Sequence, residues 1–80
     1  MRFGLPTKRS VTIAGHETSV SLEPVYWAAL EAAADADALP LNALIARIDA
    51  ARLDSVPLPN LTSALRQWLM ARALDGQANG

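Results

Sequence analysis

The chain has 80 residues, 51% of them hydrophobic, and its seven basic and eight acidic residues give a net charge of −1. A domain of that length buries only about 60% of the surface its unfolded chain exposes, so folding alone is marginal and a second chain is the natural source of the missing core. The absence of cysteine and the single histidine exclude a disulfide framework and a thiolate or His-built metal centre, and no cofactor is expected; the near-neutral balance also lacks the basic footprint usual for nucleic-acid binders.

Met1 to Thr7 is basic only at Arg2 and lacks the apolar run of a secretory signal, and nowhere do about 18 apolar residues run together. A soluble, cytoplasmic protein with no membrane partner is expected. The charges are unevenly spread. Arg2, Lys8 and Arg9 precede any acid, whereas Glu17, Glu23, Glu31, Asp35 and Asp37 follow with no Lys or Arg before Arg47. An anion-binding face therefore has to draw on the N-terminal arm or the later helices.

Lys8 to Ile13 alternates polar and apolar residues and is rich in β-branched side chains, as a half-buried strand requires. Ala14-Gly15-His16-Glu17 offers a turn, and Thr18 to Leu22 alternates again, with Val20 and Leu22 on one face and Ser19 and Ser21 on the other. The two runs predict a hairpin over residues 8–22.

Glu23-Pro24 marks a helix start, because proline is tolerated at the first helical position and a carboxylate meets the positive end of the helix dipole. The first helix is expected from Val25 to about Ala36, with Tyr26, Leu30 and Ala33 inward, Trp27 and Ala34 widening the stripe, and Glu31 and Asp35 outward. Ala38-Leu39-Pro40 breaks it. A second helix runs from Leu41 to about Arg52, burying Leu41, Leu44, Ile45 and Ile48.

Residues 54–59 hold two prolines and form a stiff linker. Asn60 is a good N-cap for a third helix, Leu61 to Leu74, in which Leu61, Leu65, Trp68, Leu69 and Arg72 share a face. Gly76 is suited to close it, leaving a frayed tail after Asp75. The reading is one domain over residues 1–80, α+β and mostly α, with a hairpin (8–22), a helix pair (24–52), the linker and a third helix (61–74).

Tyr26, Trp27 and Trp68 lie among apolar residues without interleaved basic groups, which marks them as core and interface anchors rather than base-stacking platforms. Asp49 and Arg66 each flank an apolar stripe and are expected to pair, with a ligand site as their second role. His16 reads as a locally bonded turn residue, with a functional role second. No Ser-His-acid set, Gly-rich phosphate loop or environment-split carboxylate pair stands in context, so an enzyme is the weakest class.

Thr18-Ser19-Val20-Ser21-Leu22-Glu23-Pro24, a helix, a short break and Leu41-Asn42-Ala43-Leu44-Ile45 opening a second helix together resemble the ribbon-helix-helix family of repressors and antitoxins over about residues 17–53. Gly15-His16, Ile48-Asp49 and Asn60 to Arg66 are similar to a branch of short bacterial members. The resemblance implies an intertwined homodimer whose paired ribbons lie in the DNA major groove. Carried over by position, Glu17, Ser19 and Ser21 would face bases, and the backbone at Leu41 and Asn42 would meet a phosphate from the helix N-terminus.

Family members that bind operators tightly place long forked donors on that face, whereas serines reach less and Glu17 repels phosphate unless it accepts from a cytosine amine. Lys8 and Arg9 could compensate by touching phosphates if Lys8, Ser10 and Thr12 share an outward hairpin face with Ser19 and Ser21. In that arrangement an extra strand also lies beside the ribbon. Two functions follow from different classes. One is a dimeric DNA-binding regulator; the other is the same scaffold used as an adaptor, with Trp68, Leu69 and Met70 offering a surface to a protein partner.

Overall fold

The computed structural model describes residues 1–79. Two strands, β1 (Thr7–Ile13) and β2 (His16–Leu22), are followed by three helices, α1 (Pro24–Ala36), α2 (Leu41–Leu53) and α3 (Leu61–Asn79). The strands pair antiparallel from Thr7 opposite Leu22 to Ile13 opposite His16. Ala14 and Gly15 alone make the turn, both at positive φ (51° and 81°), the backbone a two-residue hairpin turn needs to match the twist of its strands. Glycine meets that requirement freely; alanine does so against its Cβ. His16 is thus the first residue of β2 rather than part of the turn.

α1 ends in a left-handed cap. Ala38 sits at φ 55°, the Leu39 N–H donates to the Ala34 carbonyl and the Ala38 N–H to the Asp35 carbonyl, which satisfies carbonyls the helix end would otherwise orphan. Pro40, extended at the N-cap, then turns the chain into α2. At α3 the cap is a side chain: Asn60 Oδ1 accepts the Ser63 N–H at 2.8 Å, as the sequence leads one to expect.

Leu22, Leu30, Leu44, Ile45 and Leu65 are fully buried, so β2 and all three helices meet at one core. Val11 brings β1 into it. In α1 the buried stripe is Trp27, Leu30, Ala33 and Ala34, all within the expected face, with Tyr26 only half-buried at its edge. α3 also departs from expectation. It passes through Gly76 to Asn79, because one exposed glycine among helix formers costs only about 1 kcal/mol and no proline follows to end it.

Three arginines fasten the elements to one another. Arg9 lies 4.6 Å from the Trp27 ring centre and bonds Glu31 at 2.9 Å. Arg66 lies 5.4 Å from the Tyr26 ring centre and bonds Glu23 at 2.8 Å. Arg72 lies 5.3 Å from the Trp68 ring centre and bonds Asp37 at 2.9 Å. The aromatic residues are therefore anchors in packing, as expected, but each carries a cation, delivered from a distant part of the chain to Tyr26 and Trp27 and from the next turn of α3 to Trp68. The expected Asp49–Arg66 pair does not form. Asp49 pairs instead with Arg52, three residues on, and Arg52 also bonds the Pro59 carbonyl and so pins the proline linker.

Candidate nucleic-acid interface

The strand register sorts the hairpin into two faces. Arg9, Val11 and Ile13 lie with Val20 and Leu22 against the helices, while Lys8, Ser10, Thr12, Glu17, Ser19 and Ser21 all stand exposed on the other side. Period-two alternation produces this division, because a side chain cannot change face without a slip of register. The outer face therefore carries one cation, one anion and four hydroxyls. Across it, Ser10 Oγ donates to Glu17 Oε1 at 3.0 Å, which holds the carboxylate toward β1.

The two edges of the hairpin are treated differently. The Thr12 N–H points away from β2 and donates to Asn42 Oδ1 at 3.3 Å, which fixes the ladder's parity: the N–H and C=O groups of Lys8, Ser10 and Thr12 look outward on one side, and those of Glu17, Ser19 and Ser21 on the other. The Trp27 indole donates to the Thr7 carbonyl at 2.9 Å, tethering the start of β1 to α1. Along β2 the outward groups have no hydrogen-bond partner among the described residues. β2 thus presents an unpaired edge, the form of edge that accepts another strand.

Of the residues singled out from the sequence, Lys8, Glu17, Ser19 and Ser21 share the outer face. Arg9 does not. It lies on the core side, held by Trp27 and Glu31, because an odd-numbered residue of β1 takes the face of Val11. Leu41 and Asn42 begin α2 beside β1, and no side chain caps that helix, so its first N–H groups keep their donors; the Asn42 side chain is committed to Thr12. His16 is exposed at the closing pair of the hairpin, opposite Ile13. Asp49 and Arg66 lie on different elements and join different partners.

Electrostatics at the site follows from this pairing. Arg9, Arg52, Arg66 and Arg72 are neutralised within the chain, and among the described residues Arg2, Lys8 and Arg47 have no carboxylate partner. Arg47, exposed on α2, is the cation that the sequence reading left without a role; its outward position in the α2 repeat was the available signal. Where β2 leads into α1, the hydrogen bond from Arg66 holds the Glu23 carboxyl below its ordinary value. Arg72 does the same for Asp37, with a smaller contribution from the charge of Arg47.

No curated protein and no solved structure matches the chain. The family described as the ribbon-helix-helix domain matches residues 6–73, a span that takes in the hairpin, α1, α2 and most of α3. Its members typically are DNA-binding regulators and generally form homodimers, and with that span, strand order and helix order the chain belongs to the ribbon-helix-helix domain family.

Proposed function

We propose that the chain is a homodimeric transcriptional regulator of the repressor or antitoxin-like kind, working in the bacterial cytoplasm, with its strands in the DNA major groove. The observation that carries this reading is the unpaired edge of β2 beneath an exposed polar face. Two such edges paired antiparallel about a two-fold axis make a sheet in the order β1-β2-β2-β1, and each copy then completes the other's ladder.

Strands about 4.8 Å apart set the outermost two about 14 Å from each other. The major groove is about 12 Å wide and admits two strands. The central β2 pair therefore enters the groove, bringing Ser19 and Ser21 to base edges and Glu17 to a cytosine amine, while the β1 strands ride over its rims with Lys8 at the phosphates. The free N–H groups at Leu41 and Asn42 take a phosphate, as helix N-termini do.

Gel-shift or anisotropy titration against genomic fragments, at two salt concentrations, tests the reading. Salt-sensitive, specific retention that Ser19→Ala with Ser21→Ala abolishes is the expected result. Ser19→Pro, which deletes an outward donor without touching the β1–β2 ladder, is expected to break the pairing of β2 edges and to lose the DNA complex with it.

A second reading, the same scaffold as a protein-interaction module without DNA, is favoured by the internal neutralisation of four of the seven cations. Absence of retention at low salt would sink the first reading and leave this one.

A further inference from the structure

Away from the hairpin's outer face, an apolar groove runs between α1 and α3. Three adjoining cavities of about 540, 380 and 310 Å³ make it up, joined through Val25, Tyr26 and Arg66 at one step and through Ala29, Leu69 and Ala73 at the next. Its far end is lined mainly by alanine, with Ala29, Ala32, Ala33, Ala36 and Ala73, so a side chain placed there meets methyl groups rather than a filled wall. The 540 Å³ cavity is walled on one side by the chain's own Met1 to Gly4, and Gly4 lies so close to Pro24 that a Cβ there would stand 3.1 Å from the proline Cδ.

That segment is as unsatisfied as the groove. Met1, Phe3 and Leu5 are 94, 92 and 86% exposed, and they alternate along the chain as the apolar side of an extended strip would. The accessible surface of the whole chain is 5546 Å², against about 4,700 Å² for a compact monomer of its 8.5 kDa. The surplus is close to the roughly 800 Å² that each partner contributes to a standard interface.

We infer that two copies exchange these segments, Met1 to Leu5 of each lying in the α1/α3 groove of the other with Phe3 and Leu5 over its alanines. Lengths agree. Five extended residues span about 17 Å, and α1 rises about 16 Å from Val25 to Ala36. Exchange of identical elements is an inexpensive route to a closed two-fold pair. The surface is separate from the β2 edge, so either contact can be broken alone.

The absence of native cysteine makes the test direct. Phe3→Cys chains are mixed with Ala73→Cys chains under mild oxidation, and each variant is also oxidised alone. A covalent dimer at least tenfold more abundant in the mixture than in either single variant is expected. Ala73→Arg, at an exposed helical site, is expected to keep the helical signal and lower the sedimenting mass at concentrations where the parent chain associates, with Ser19→Pro present in both so that pairing of β2 edges does not mask the step. No cross-link in the mixture, a disulfide confined within single chains when both cysteines share one chain, or an unchanged mass for Ala73→Arg would each overturn the exchange.

Discussion

Along β1 the hairpin is fastened: Asn42 closes its outer edge at Thr12, and Trp27 and Arg9 tie the strand to α1. Along β2, its outward groups reach no acceptor or donor among the described residues, and the strand is held only by its ladder, by Val20 and Leu22 in the core, and by the Glu23–Arg66 pair just past its end. Both strands have seven residues and similar alternation, so the difference lies in what surrounds them. The difference is one of degree: a single helix start occupies one N–H of the β1 edge, whereas every outward group of β2 is left to a further strand.

The largest expected effect comes from unfastening β1. Trp27→Ala removes a buried ring, its indole donor and the platform under Arg9, and should cost about 3 to 5 kcal/mol in denaturant unfolding; a loss below 1 kcal/mol would mean that the tether is incidental. Asn42→Ala is milder, because the Thr12 N–H is exposed and water can replace the lost acceptor, so about 0.5 to 1 kcal/mol is expected. Its sharper readout is amide exchange, which should quicken at Thr12 and leave Val11 little changed.

The smallest effect concerns the tie beyond β2. The folded state lowers the Glu23 carboxyl below its ordinary 4.5, so what the pair contributes is present above that value and is lost as the pH falls through the lowered one. Glu23→Gln should therefore flatten the acid limb of the stability curve and leave the most acidic point unchanged. An undiminished acid limb would show that solvent already screens the pair.

Much of this was legible in the residues. Val11, Val20 and Leu22 announced which hairpin face is buried, Pro40 and the two linker prolines separated the helices, and Asn60 capped α3 as its position suggested. Three things were not legible. Arg66 and Glu23 stand 43 positions apart, and no local rule connects them, whereas Asp49 had Arg52 within one helical turn, where short chain separation favours pairing. Gly76 signals a helix end only when something beyond it resists helix. Arg9 and Lys8 look interchangeable in composition and stand on opposite faces, because strand parity rather than charge assigns the face. Of the candidate interface, the serines and Lys8 could be placed from alternation alone; the bond that distinguishes the β1 edge from the open β2 edge comes from Asn42, which is thirty residues from its partner.

The Arg–aromatic–carboxylate clips, together with the Arg52–Asp49 pair, have a consequence in terms of counterions. A two-fold pair of these chains would offer only Arg2, Lys8 and Arg47 from each copy to phosphates, and with each neutralised phosphate contributing a slope of about −0.9, the dependence of log affinity on log salt could be no steeper than about −5. A complex built on that ceiling tolerates physiological salt well but draws little sequence-independent affinity from it, so it would spend less of its time on nonspecific DNA than a strongly basic regulator does.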